Sequence, residues 1–271
     1  MSSEVATGTA VPARNGNITL ALRQIRFENK SFWRNPAAAF FTFAFPLIFL
    51  VLFNLLFGDT KYHLGGEVVT LRTFYVPAIA AFSVITACYT NVAMSLTFSR
   101  EQGVLKRKRG TPLPAWGYLA GKIAHSVLIA FLLVAIVTAA GYLFYDVHLS
   151  TSTLPAFIVT VFVGSLTFPA LGVAMTSFVP NADAAPAVIN ATILPLLFIS
   201  GIFIPLNNIP TWLLHVSNFF PIHHFAEAMS SSFTGLGSGN GFRWGDLGIM
   251  GVWAIVGAIL ALRFFKWEKN R

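Results

Sequence analysis

The chain has 271 residues, of which 55% are hydrophobic and only 10% charged, against about 25% charged in an ordinary soluble domain. That depletion excludes a water-solvated globule of this size. The net charge of +8 does not point to nucleic acid, because Lys and Arg cluster beside apolar runs, where membrane orientation is the usual cause.

Residues 1–16 form a polar arm without the basic-then-apolar pattern of a cleavable signal peptide, and read as a flexible N-terminus. Residues 17–35 follow as an amphipathic helix. At about 100° per residue, Ile18, Ala21, Leu22, Ile25 and Phe32 share one face, and Arg23, Arg26, Lys30 and Arg34 the opposite one. That pattern suits a helix lying in the membrane plane, either as an anchor to anionic headgroups or as a platform that also meets a partner.

A hydrocarbon core of about 30 Å needs about 20 apolar residues in helix. Continuous rather than alternating runs favour helices over a barrel. Six spans are predicted, at 37–57, 74–98, 116–145, 154–179, 184–206 and 247–265, inside a membrane domain covering 37–266, with a short tail at 267–271. The stretch from 207 to 233 holds two apolar patches too short to cross, divided by Pro221 and the pair His223–His224. It reads as a helical hairpin re-entering the outer leaflet, with Pro205, Pro210, Pro221, His223, His224 and Glu227 as its marked residues. Most Lys and Arg fall on the arm, the second loop and the C-terminus, leaving Lys61, Arg72 and Arg243 for the other side. Both termini are therefore expected in the cytoplasm.

No Asp or Glu lies deep in a span, which argues against an ion-coupled carrier. Asn54, Thr86, Asn91, Asn190 and Ser200 are the candidate pathway residues, and Pro46, Pro77, Pro169, Pro186 and Pro195 would kink the spans around them. Lys122 and His125 read either as a proton relay or, more plainly, as a lysine snorkelling to the interface. His223, His224 and Glu227 have metal-ligand spacing but no fourth ligand, and an interfacial polar cluster is the plainer reading. Cys88 is the single cysteine, so no intrachain disulfide exists. Gly117 to Lys122 lacks the spacing and the Ser or Thr of a P-loop.

The second loop carries Arg100, Glu101, Gly103, Leu105, Thr111, Pro112, Leu113, Gly121 and Lys122 in that order. It resembles the permease subunits of type-2 ABC transporters, and so do Ser200-Gly201-Ile202-Phe203-Ile204-Pro205, Ile209-Pro210 and Asn218-Phe219-Phe220-Pro221 further along. Two positions depart from the pattern: Lys106 stands where the family has an acidic residue, and no basic residue stands near Met229.

The resemblance implies an all-α integral membrane fold: six transmembrane helices, the interfacial helix, the outer hairpin and a cytoplasmic coupling helix within about 100–112. There Arg100, Glu101, Gly103, Leu105, Lys106, Arg107, Thr111 and Pro112 would seat on a separate ATP-binding subunit, present in two copies. A second permease subunit, identical or a paralogue, would complete the complex in the bacterial plasma membrane. ATP and magnesium belong to the partner, and no cofactor or metal is expected in this chain. The implied function is export of a hydrophobic or amphipathic compound such as a drug, antibiotic or lipid-like molecule. Export of lipid-linked polysaccharide is an alternative, and a membrane-embedded lipid-processing enzyme is one from another class.

Overall fold

The computed structural model describes residues 17–64, 67–111, 113–206, 210–235 and 239–265. The arm 1–16, Pro112, and the tail from 266 lie outside the described residues. Helix α1 (Asn17–Trp33) is followed by α2 (Pro36–Phe57). The side-chain Oδ1 of Asn35 accepts from the Ala38 N–H, and Pro36 opens α2, so an N-cap residue and a first-turn proline fix this start. A two-stranded antiparallel hairpin follows, β1 (Lys61–Leu64) and β2 (Glu67–Thr70), with Lys61 opposite Thr70. An all-helical expectation missed it.

Helix α3 (Leu71–Ile85) runs through a π-helical turn (Thr86–Thr90) into α4 (Asn91–Glu101), and the three make one continuous apolar rod. A short α5 (Val104–Arg109) precedes the long α6 (Ala115–Tyr145). Then come α7 (Leu154–Met175), α8 (Ala185–Ile199), α9 (Thr211–Phe219), α10 (Pro221–Thr234) and α11 (Trp244–Phe264). The protein is a multi-pass helical membrane protein. Among the described residues, five helical stretches are long and apolar enough to cross a bilayer: α2, α3–α4, α6, α7 and α11.

The stretch predicted as a span at 184–206 is shorter than expected, its α-helix having 15 residues. The chain leaves it at Gly201, which has φ 84°, a left-handed conformation that ends helices. Ile202 and Phe203 then fold back into the core. The break in the segment 207–233 falls at Pro221, as expected, but not at the histidine pair. Phe220 separates α9 from α10 with ψ 145°, and the histidine pair lies inside the first turn of α10.

The rod α3–α4 and helix α7 are central and mostly buried, whereas a smaller share of α2, α6 and α11 is buried. The exposed faces carry large apolar side chains such as Leu55, Leu143 and Leu262. In lipid these are the solvated residues, as the hydrocarbon demands of a helical bundle. Close approach relies on small residues, as is usual between membrane helices. A Cβ on Gly257 would lie 3.0 Å from the Leu171 nitrogen, and one on Gly164 would lie 2.3 Å from the Phe225 ring. A phenylalanine ladder on α2 joins it to the core: Phe53 stacks on Phe203 at 5.7 Å and on Tyr75 at 5.0 Å between centroids.

Candidate functional site

One end of the bundle gathers the basic segments. Rod α3–α4 stops at Gln102, and Gly103 turns the chain with φ 69°, a value that any side chain would strain. Helix α5 then lies along the bundle end. Leu105 is fully buried among Leu96, Tyr118 and Val173, while Lys106 and Arg107 are exposed. Thr111 Oγ1 donates to the Lys108 carbonyl at 2.7 Å and closes the helix.

Arg100 faces inward. Its guanidinium donates to the carbonyls of Thr176 at 2.8 Å and Val179 at 2.5 Å, where α7 ends and backbone carbonyls lack helical partners. It ties the loop to the bundle. Glu101, next in the chain, is half-buried.

Beside α5 is an ionic knot that sequence reading missed. Glu28 of α1 accepts from Gln24 Nε2 at 2.6 Å on one oxygen and from Lys122 Nζ at 3.0 Å on the other. Lys108 Nζ lies 3.7 Å from the same carboxylate, and over the rings of Phe27 and Tyr118 at 4.8 and 4.2 Å. Three helices (α1, α5 and α6) thus meet on one carboxylate. Burial pushes the Glu28 carboxyl up, but Lys122, Lys108 and Gln24 outweigh it and hold the group below the usual 4.5. Burial lowers the Lys108 ammonium, against the pull of Glu28.

Lys122 therefore turns inward to a salt bridge instead of snorkelling. Helix α1 crosses α6 at Gly121, where a Cβ would meet Gln24 at 2.5 Å. On the basic face, Arg23, Arg26, Lys30 and Arg34 are all exposed. On the apolar side Leu22 is exposed, whereas Ala21, Ile25 and Phe32 are half-buried. The sequence signal for Glu28 was its angular position, at the edge of that apolar face.

The structure gathers three of the five candidate pathway residues. Thr86, Asn91 and Asn190 line one lateral cleft of about 540 Å³ between α2, the rod and α8, walled by Phe41, Phe45 and Phe82. The π turn contributes Thr86, Ala87 and Thr90 to it, as such turns often do at functional sites. Asn54 instead donates to the Leu50 carbonyl at 2.8 Å within its own helix. Ser200 Oγ donates to Leu197 O at 3.0 Å.

At the opposite end, the cluster around His223 and His224 is held by pairing. His223 Nδ1 contacts the Ser200 carbonyl at 3.2 Å. His224 sits between the Asp246 carboxylate, 2.6 Å from Nδ1, and the Asn218 carbonyl, 2.8 Å from Nε2. Glu227 pairs with Arg243 at 3.4 Å, and Arg243 also binds Asp246. The two histidines and Glu227 thus point to separate partners, and no group of three metal-ligating side chains occurs among the described residues. Asp246, on the first turn of α11, is the member that sequence spacing could not supply. Pro221 opens α10 and is buried, Pro210 precedes α9 and is exposed, and Pro205 is half-buried.

The profile of the family described as ABC-2 type transporter matches residues 20–234, from α1 to the end of α10. The chain belongs to this family. Among curated ABC-2 relatives, "Probable multidrug ABC transporter permease YbhR" of Escherichia coli (strain K12) is 27% identical over 156 residues, 58% of this chain and 42% of that one. The chain thus aligns with less than half the length of YbhR. "Inner membrane transport permease YadH" of the same strain is 25% identical over 231 residues, covering 81% of this chain and 83% of YadH. "Putative transport permease ycf38" of Porphyra purpurea is 25% identical over 198 residues, covering 73% and 68%. The ABC-2 match takes in α1, the α5 loop, the cleft and α9–α10, but ends before Asp246 and Arg243.

Proposed function

We propose that this chain is the permease subunit of an ATP-driven exporter in a bacterial plasma membrane. Helix α5 is its coupling helix, and the moved compound is hydrophobic or amphipathic. The observation that carries this is the build of α5. Leu105 and the Glu28 knot bolt it to α1 and α6, while Lys106 and Arg107 remain free to meet another surface. A rigid short helix with an exposed basic face passes a push from a partner into the bundle. Energy comes from a separate ATP-binding subunit in two copies, which also supplies ATP and magnesium. A second permease subunit completes the pathway.

The topology that fits is six crossings with both termini in the cytoplasm: α8 with the connection that follows it makes the fifth, and α9–α10 re-enters from the outer side. The cleft, with aromatic walls and mild polar groups, suits a compound without strong charge in its body. The printed name of YbhR supports a drug-like cargo; lipid-linked polysaccharide is the second reading.

The test is purification of the tagged chain from its native membrane in mild detergent, with mass spectrometry of what stays bound. A stoichiometric P-loop subunit is expected, and reversing the charge of Lys106 and Arg107 to Glu should release it. Purification of the wild-type chain alone would refute the exporter reading.

A further inference from the structure

We propose that a second pocket under α1, with charged side chains in its wall, binds the anionic head of an amphiphile whose apolar body lies in the lateral cleft. This deepens the export reading, and rests on it only for that amphiphile being cargo. The pocket is a separate hollow of about 190 Å³ between α1, α2, α4 and α6, lined by Glu28, Asn91, Ser95, Lys122 and His125 among others. For scale, a cavity of about 150 Å³ holds benzene. Ala38, Ala87 and Asn91 belong to its wall and to the wall of the 540 Å³ cleft. The two hollows meet there, so a compartment that holds charged side chains beside apolar ones opens onto an aromatic one.

The sign of the head follows from which groups are already spent. Both oxygens of Glu28 are occupied, one by Gln24 and the other by Lys122, with Lys108 also close. One carboxylate faces two ammonium groups, which leaves a positive charge over. Lys122 has three donors, and Glu28 is its one side-chain partner among the described residues. His125 Nδ1 is buried with no hydrogen-bond partner, a costly state that a ligand oxygen relieves with the imidazole in its Nδ1–H tautomer. The unspent groups are thus donors beside excess positive charge. A phosphate or carboxylate satisfies them, whereas a cationic head would meet Lys122 with Glu28 already engaged. Inorganic phosphate shares the head chemistry but leaves the cleft empty.

The test is native mass spectrometry of the full chain in a maltoside detergent, titrated with dodecyl phosphate. One saturable adduct per chain is expected. His125→Leu and Asn91→Leu leave the Glu28–Lys122 pair intact, and each should weaken binding by about tenfold or more, the loss of one hydrogen bond to a charged group. An unchanged melting profile for these variants separates lost binding from lost fold. Dodecyltrimethylammonium should not compete.

Equal binding by the variants, or competition by the cationic amphiphile, would overturn the assignment. Inorganic phosphate binding as tightly as dodecyl phosphate would overturn the amphiphile and leave a free-anion site. Because no ATPase is needed, failure here leaves the co-purification test standing. Conversely, saturable binding by a chain that retains no ATPase keeps the site and removes the export reading.

Discussion

Replacing Glu28 by glutamine keeps the shape of the side chain and removes its charge. The carboxylate and Lys122 are both buried, at 9% and 11% side-chain exposure, and Lys108 loses the same partner. Breaking a buried ion pair from one side costs about 3–5 kcal/mol, because the remaining charge stays desolvated. A chain of this length loses about 2–4 °C in Tm per kcal/mol, so Glu28→Gln should lower the apparent Tm by about 6–20 °C in detergent. The double variant Glu28→Leu with Lys122→Met removes both buried charges of the closest pair, and apolar replacement of a pair is often neutral or stabilising. It should recover most of the loss, less what Lys108 still costs. Differential scanning fluorimetry of wild type, single and double variants measures both steps. A single-variant shift below about 1 °C, or a double variant no better than the single, would refute the claim that this knot binds α1 to α6.

Acidification should act through the same residue. A carboxyl held below 4.5 in the fold contributes stability that is complete above its unfolded value and is lost as pH falls through the lowered folded value. The wild type should therefore show an acid limb below about pH 4.5 that is reduced in Glu28→Gln, read from unfolding midpoints across a pH series. Arg100→Lys keeps the charge but cannot reach two carbonyls in a fixed fork. It should cost about 2 kcal/mol in a denaturant titration, and no change would mean the α7 carbonyls find another donor. Gly164→Ala places a methyl on the Phe225 ring and should cost about 1–3 kcal/mol. Equal stability would show that α10 shifts freely on α7.

Long-range apolar order was legible in the sequence, and side-chain pairing was not. Span 37–57 and the observed Pro36–Phe57 nearly coincide, because a bilayer demands length and apolarity and both are written locally. The helix of the fifth predicted span is shorter than its hydropathy because Ile202, Phe203 and Ile204 read as continuous with α8, while a left-handed Gly201 turns them aside. Spacing grouped His223, His224 and Glu227, yet their partners Ser200, Asp246 and Arg243 come from other segments. Glu28 and Lys122 lie 94 residues apart, and nothing local relates them. Thr86, Asn91 and Asn190 were found as mild polar residues in apolar runs, a signal that also returned Asn54 and Ser200, which serve their own helices.

The π turn at Thr86–Thr90 makes residue number itself a structural quantity. There the Asn91 N–H reaches back to the Thr86 carbonyl, one residue further than in an α-helix. Each α-helical residue turns the chain by about 100°. The lower half of the rod is therefore indexed separately from the upper half, like a key with a step cut in its shaft. Above the step the rod is buried almost all round; below it Asn91 opens onto the cleft while Leu96 and Arg100 face inward. The bearing from which the chain leaves toward α5 is thus set about 15 Å away, by one extra residue at the depth where the cleft is walled.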